Sequence, residues 1–133
     1  MSQTTVKTGI SHVAFVEIQT RDVDQAIDFY TNTLGFAKTT DAPMGPGARW
    51  VELTPPGGNT RLTLISQGNP AFAPERIGQG FGAVFEVAAF EETCAELKRR
   101  GVPFDVEPRK EPWGAWAEIL DPDGNSLGLH GEA

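Results

Sequence analysis

A short phrase that occurs twice decides the fold: "WVELTPPGGN" at residues 50–59 and "WAEILDPDGN" at residues 116–125. The two copies lie sixty-six residues apart and align without a gap, so that Trp, Glu, Pro, Gly and Asn recur at the same places. Each copy ends in a Pro-x-Gly-Asn run, which favours a tight turn because Pro fixes φ while Gly and Asn tolerate positive φ. Apolar residues at alternate positions follow each turn, as in a returning strand: Leu62 and Leu64, then Leu127 and Leu129. The repeated unit therefore contains a β-hairpin.

The repeat extends backward from each hairpin into a helix and a further strand. Residues 21–36 carry apolar side chains at helical spacing, with Asp22 as the predicted N-cap and Gly35 as the stop. Residues 89–104 repeat this pattern, and Gly101 lies sixty-six residues after Gly35. The strands before the helices are predicted at 11–18 and 82–87, both rich in Val and Phe. The predicted unit is βαβββ, present twice in an α+β protein.

The length of 133 residues fits one domain, residues 1–133, in which the two units must share a core. The first module is predicted at about 9–68 and the second at about 80–131, with a Gly/Pro-rich linker at 66–80. The formal charge of −7 argues against nucleic acid as a partner, because phosphate binding needs clustered Lys and Arg. The single Cys and the absence of an apolar segment long enough for a membrane or a signal peptide predict a cytoplasmic protein that binds no membrane.

The stretches "HVAFVEI", "AIDFYTNTLGF" and "DPDGNSLGL" within this duplicated unit resemble the vicinal oxygen chelate superfamily, which includes glyoxalases, bleomycin-resistance proteins and extradiol dioxygenases. The resemblance covers the chain from about residue 9 to residue 130. It implies two modules that form a cup-shaped, eight-stranded mixed sheet with a ligand inside the cup, and commonly a homodimer. In the enzymes of this superfamily a divalent metal, held by His and Glu from the strands, acts as a Lewis acid.

The resemblance also indicates where the metal ligands would lie, and three of the four places hold residues that cannot serve. His12 occupies the first place, whereas the other three are matched by Thr63, Gly82 and Gly128. Because a divalent metal needs about three protein donors, the site of the superfamily is predicted to be abolished and no cofactor is expected. A displaced divalent-metal site made of His12, Glu86 and His130 is the alternative. His130 lies two residues after Gly128 and Glu86 four residues after Gly82, so each is expected on the same strand face as that glycine, and two His and one carboxylate would satisfy the rule of three donors.

Aromatic and acidic residues around the repeated strands suggest a receptor for a flat organic ligand. Trp binds such ligands by stacking and attracts cations through its ring face, and nearby carboxylates add charge, although core packing would also account for each Trp. The candidate ligand-binding residues are His12, Trp50, Thr63, Glu86, Trp113, Trp116, Glu118 and His130. The leading hypothesis is a metal-free small-molecule-binding protein of the bleomycin-resistance type. The alternatives are a lyase, isomerase or dioxygenase that uses a displaced metal or acid–base catalysis, and a module that binds nothing.

Overall fold

A computed structural model describes residues 8–79 and 81–132, and at Phe81 the backbone alone. The described residues form eight strands in two four-stranded mixed sheets, ordered β1-β4-β3-β2 and β5-β8-β7-β6. The strands are β1 Phe15–Gln19, β2 Ala37–Pro43, β3 Arg49–Thr54, β4 Arg61–Ile65, β5 Phe81–Glu86, β6 Phe104–Glu111, β7 Gly114–Leu120 and β8 Ser126–Gly131. In each module the strand that comes first in the sequence pairs in parallel with the one that comes last, as β1 with β4 and β5 with β8. The other pairs are antiparallel. The predicted α+β fold with two βαβββ units is confirmed.

The helices begin and end close to the predicted residues. Helix α1 spans Val23–Asp28 and continues as a π-helical segment, Phe29–Thr33, while α2 spans Phe90–Arg99. The Asp22 side chain accepts a hydrogen bond from the Gln25 backbone N–H at 3.1 Å, so the predicted N-cap is correct. The predicted glycine stops also hold, because Gly35 and Gly101 have φ of +85° and +82°, a region that favours glycine after a helix.

The offset between the modules departs from sixty-six residues in the first strands, where it is longer by one, and in the last strands, where it is shorter by one. The departure in the first strands has a local cause. Glu17 pairs with Thr63 on β4, and the residue in the same position on β5 is Val84, which pairs with Gly128. A register shift between Phe81 and Ala83 inserts the extra residue of β5. The π-helical segment then gives the first module one residue more than the second before the helix ends. The two helix-ending glycines, Gly35 and Gly101, are therefore again sixty-six residues apart.

The two modules share one hydrophobic core, which lies on the helix-covered sides of both sheets. Tyr30 and Leu62 of the first module belong to the same buried cluster as Leu97 and Ile119 of the second. Phe36 and Phe85 meet across the junction in a T-shaped contact, with ring centroids 5.4 Å apart. The modules also approach closely at Gly82, where a Cβ atom would come 2.5 Å from Ile18 Cδ1. Residues of both modules therefore contribute to one continuous core.

The "DPDGN" motif joins the modules in addition to turning the chain, which the repeat alone does not reveal. The Asp121 carboxylate accepts hydrogen bonds from the Tyr30 hydroxyl at 2.8 Å and from two backbone N–H groups of its own turn at 2.9 Å. Asp123 accepts from the Thr20 hydroxyl at 2.6 Å, and the Asn125 amide donates to the Gln19 carbonyl at 2.9 Å. We call this set of bonds between residues 121–125 and the first module the inter-module clasp.

The segment predicted as a linker, from residue 66 onward, packs against the two modules. Residues Pro74–Arg76 form a short 3-10 turn, and Ile77 is buried. The Gln19 side chain donates to the Ala71 carbonyl and accepts from the Ala73 backbone N–H, at 3.1 and 2.8 Å. No helix in residues 8–79 and 81–132 is long and apolar enough to cross a membrane.

Candidate ligand-binding site

Five of the candidate residues come together on one face of the second sheet. Side chains of β5, β7 and β8 alternate between the core and the opposite face, which we call the outer face of the second sheet. Two rows of paired residues cross this face: Glu86, His130 and Trp116 form one row, and Val84, Gly128 and Glu118 form the next. Trp113, in the turn between β6 and β7, lies beside the first row.

Aromatic rings form the centre of this face. The Trp113 indole stacks on the His130 imidazole, with centroids 5.9 Å apart and planes inclined by 10°. The same indole meets Trp116 in a T-shaped contact at 6.0 Å. Trp113 is nevertheless 55% exposed and Val84 is 51% exposed, so a large apolar surface remains open to solvent around the stack. We call Trp113, Trp116 and His130 the aromatic stack.

Glycines make room for the stack. A Cβ atom at Gly128 would lie 2.8 Å from Trp116 Cη2, so only glycine lets the indole cover this point of β8. Gly114 has φ of +143°, and a Cβ atom there would lie 2.5 Å from the Gly131 carbonyl oxygen. This glycine allows the chain to turn sharply after Trp113 and brings that residue back over His130.

Two carboxylates flank the aromatic stack, each hydrogen-bonded to one of its rings. Glu86 Oε1 lies 2.5 Å from His130 Nδ1, and Trp116 Nε1 donates to Glu118 Oε2 at 2.9 Å. These bonds hold the imidazole and the indole in place and leave one oxygen of each carboxylate for other donors. The face therefore combines an exposed indole with negative charge, an arrangement suited to a flat ligand with a cationic or hydrogen-donating edge.

The corresponding face of the first sheet carries Trp50 and Thr63. Trp50 is half-buried and meets Phe15 in a T-shaped contact at 5.5 Å. Thr63 is 0% exposed, and its hydroxyl is buried without a hydrogen-bond partner among the described residues. Next to it the Glu52 carboxylate accepts from the Thr40 hydroxyl at 3.0 Å and from Arg61 at 3.4 Å. These two candidates thus lie on a different sheet from the aromatic stack.

His12 does not take part in either face. The first strand begins at Phe15, not at residue 11, because the chain bends at His12 before it joins the sheet. The exposed imidazole instead bonds to the neighbouring Ser11 hydroxyl at 2.7 Å. Glu86 and His130, the other two members of the displaced metal site, do meet. The expectation that Gly82 shares their face is wrong, because the bulge in β5 turns the Cα–Cβ direction at Gly82 toward Leu127 in the core.

These positions do not fit the divalent metal that the superfamily implies. Neither glycine has a side chain that could bind a metal: Gly128 is covered by Trp116, and the Cα–Cβ direction at Gly82 faces the core. Thr63 supplies a single hydroxyl. Among residues 8–79 and 81–132, no group of three or more His, Cys, Asp or Glu side chains is placed to hold a metal ion. We therefore derive no chemistry through a metal.

Some features of the site have no signal in the sequence. Val84 and the two glycines that admit the indoles belong to the outer face, but a glycine in a strand commonly marks a bulge or a bend as well. Phe15 is the first residue of β1 and contacts Trp50, whereas the sequence predicts that His12, three residues earlier, belongs to the site. If the register of β5 against β8 is known, the alternation of side chains along β5 places Val84 on the same face as Glu86.

Known proteins with this fold define the class. The sequence matches the Glyoxalase/Bleomycin resistance protein/Dioxygenase superfamily over residues 9–129, and the chain belongs to this superfamily. Among curated relatives, YetH of Bacillus subtilis (strain 168) is 33% identical over 116 residues, which cover 87% of this chain and 94% of YetH.

Solved structures support the same assignment. TnmS3, an antibiotic binding protein from Streptomyces sp. CB03234, is 35% identical with a TM-score of 0.82, covering 96% of this chain and 100% of TnmS3. A superfamily member from Sphaerobacter thermophilus DSM 20745 is 32% identical with a TM-score of 0.77, covering 92% of this chain and 98% of that one. The particular protein described here is thus a member of this superfamily in which the outer face of the second sheet carries two indoles.

Proposed function

We propose that this protein binds and sequesters a flat organic molecule, cationic or neutral, on the outer face of its second sheet, without a metal. The observation that carries the proposal is the position of Trp113, which is stacked on His130 yet more than half exposed. An exposed indole held by a second ring offers a rigid surface for stacking, with little conformational entropy to lose on binding. Likeness to an antibiotic binding protein supports the same kind of function.

The carboxylates of Glu86 and Glu118 determine the preferred charge of the ligand. Both lie beside the aromatic stack, and the chain carries a formal charge of −7, so a cation is attracted both locally and by the whole protein. Anionic compounds are disfavoured for the same reason. We further propose that Trp50 and Thr63, on the first sheet, take part only if a second copy of the chain brings that face opposite the aromatic stack.

A homodimer in the cytoplasm is part of this proposal. Each sheet has one edge strand that lies away from the module junction, β2 in the first and β6 in the second, whereas β1 and β5 approach each other at Ile18 and Gly82. Unpaired edges are usually covered by another chain. A second copy would also cover the exposed apolar surface around Val84. Sedimentation at micromolar concentration checks this point, and a monomer there would contradict it.

The direct test is a fluorescence titration with two planar probes of similar shape, the aminoacridine cation and neutral acridone. The aminoacridine should quench tryptophan emission saturably and raise the melting temperature, because a ligand bound only by the folded state stabilises it. Trp113→Ala should weaken binding several-fold, since one such contact is worth about 1 kcal/mol. Ile10→Ala, which removes another exposed apolar side chain, is the matched control and should leave the affinity unchanged. Failure of both probes, and of a wider panel of flat compounds, to alter emission or melting would refute the proposal.

One observation favours an enzyme as the second candidate: the 2.5 Å contact between Glu86 and His130 resembles an acid–base pair. A carboxylate that orients an imidazole is the usual arrangement of a general base. Mass spectrometry of the bound compound after prolonged incubation separates the two functions. A binding protein returns the compound unchanged, whereas an enzyme returns a product, and His130→Gln would then stop product formation.

A further inference from the structure

The two modules are joined unequally, although they are built on the same plan. On one side, the inter-module clasp fastens the turn at 121–125 to the first module through Tyr30, Thr20 and Gln19. The repeat places the turn at 55–59 in the equivalent position, facing the second module. Here Pro55 and Gly57 replace the two aspartates of the clasp, so this turn has no carboxylate with which to bond.

The second module likewise lacks the donors that the clasp would need. The position of Tyr30 is taken by Leu97 on α2, at the offset of sixty-seven residues that holds where the helices begin. The hydroxyl of Thr93 donates to the Ala88 carbonyl at 3.0 Å, within its own module. Asn59 keeps the amide of Asn125, but no hydrogen bond joins it to the second module among the described residues, and the bonds made by Asp121, Asp123 and Tyr30 have no equivalent here. The modules therefore stay apart along this line.

A cleft of about 850 Å³ occupies the place of the missing clasp. It lies between the turn at 55–60 on one side and β5 with the start of α2 on the other. Apolar side chains form its floor, among them Val16, Phe36, Leu62, Phe85, Leu97 and Leu129. Its volume falls in the range of small-molecule sites, about 300–1,000 Å³.

This cleft differs from the outer-face site in position and in chemistry. Val16, Leu62 and Phe85 lie on the core sides of their strands, whereas the aromatic stack lies on the opposite side of the second sheet. Polar groups occur at the rim, where the Thr60 hydroxyl already bonds to the Val13 carbonyl at 3.3 Å. Glu86, the charged residue among the described lining residues, lies at the rim with its carboxylate exposed to water and one oxygen bonded to His130, so it adds no charge to the apolar floor.

We propose that the cleft between residues 55–60 and β5 is a second binding site, which takes an uncharged, mainly hydrocarbon molecule of drug size. An apolar floor gains free energy when such a molecule displaces water, while a charged group would lose its hydration without gaining a partner. The clasp on the other side of the junction keeps the modules together while the cleft is filled. The cleft adjoins the outer face at Val84 and Glu86, which line both, but its lining does not include Trp113, Trp116 or His130. Binding in the cleft therefore does not depend on the function proposed for the aromatic stack.

The test uses N-phenylnaphthylamine, a neutral dye whose emission rises in apolar surroundings. The dye should bind the full chain saturably, with one dye per chain. Ala88→Trp places an indole at the mouth of the cleft and Ala83→Leu fills part of its wall, so each should weaken binding by about tenfold. Ala95→Trp adds the same indole to an exposed position of α2 outside the cleft lining and should leave binding unchanged.

Two further measurements distinguish dye binding in the cleft from dye binding at the aromatic stack and from closure of the cleft by a second copy of the chain. Trp113→Ala should not alter dye binding, whereas it weakens aminoacridine binding, so the two proposals can fail independently. Loss of dye binding in Trp113→Ala with normal binding in Ala88→Trp would overturn the assignment to the cleft. The absence of saturable dye binding, or a cleft closed by a second copy so that Ala88→Trp changes sedimentation and not dye affinity, would overturn it as well.

Discussion

The indole of Trp116 lies over Gly128, and a Cβ atom at residue 128 would come 2.8 Å from its Cη2 atom. The resemblance to the superfamily assigns to this point of the last strand a metal-binding carboxylate. Here an aromatic ring covers the same point. The position of the Trp116 ring therefore depends on glycine at residue 128, since any side chain there would have to displace it.

Gly128→Ala should disturb that stacking surface without touching the core. The added methyl group must displace Trp116 and Val84, whose Cγ2 atom would lie 3.0 Å away, and overpacking of this kind costs about 1–3 kcal/mol. We expect a lower melting temperature, altered tryptophan emission and weaker aminoacridine binding.

A double-mutant cycle provides the control for Gly128→Ala. In a Trp116→Leu background the ring is gone, so the same methyl group should cost less in free energy of unfolding. Equal costs in both backgrounds, measured by urea denaturation, would show that Trp116 does not need the glycine.

Glu86→Gln tests the electrostatic part of the site. The substitution removes the charge next to His130 and nearly preserves the shape, so it should weaken aminoacridine binding more than acridone binding. The difference should shrink as salt is added, because the Glu86 side chain is 76% exposed and its field is screened. Isothermal titration at low and high ionic strength measures both effects. Glu17→Gln, an exposed glutamate on the first sheet, is the matched control, and an equal loss there would point to net charge instead of the site.

Much of this architecture follows from local signals in the sequence. The N-cap at Asp22 and the stops at Gly35 and Gly101 depend on neighbouring residues, and each was predicted correctly. Glu86 and His130 were predicted on one face because strand alternation survives wherever the pairing is regular.

Predictions were wrong or incomplete where long-range contacts decide the outcome. The prediction for Gly82 is wrong because a bulge in β5, where Ile18 of the other module lies close by, breaks the alternation. His12 was placed in a strand that begins three residues later. The sequence predicts a turn around Asp121 but not the inter-module clasp. The residues that bond to this turn lie about a hundred positions away in the sequence, and no local pattern indicates them.

Tyr30→Phe probes the clasp through its effect on stability and on the pH dependence of stability. Burial, with the neighbouring Asp121 carboxylate, raises the pKa of the Tyr30 hydroxyl well above its usual value of 10.0. The folded protein therefore holds this proton more tightly than the unfolded chain does. The stabilisation is fully present below about pH 10 and is lost as the pH rises toward the higher pKa of the folded state.

At neutral pH, Tyr30→Phe should lower the free energy of unfolding by about 1.5–3 kcal/mol, because it removes a hydrogen bond to a charged group. The gap between the wild type and the variant should narrow above about pH 10, since only the wild type must lose the extra proton. Urea denaturation at a series of pH values measures the gap. Tyr30 is the single tyrosine of the chain, so the near-ultraviolet tyrosinate band follows its ionisation directly. Ionisation of that band at the ordinary tyrosine pKa in the folded protein, or a gap that stays constant with pH, would show that the clasp does not hold the Tyr30 proton.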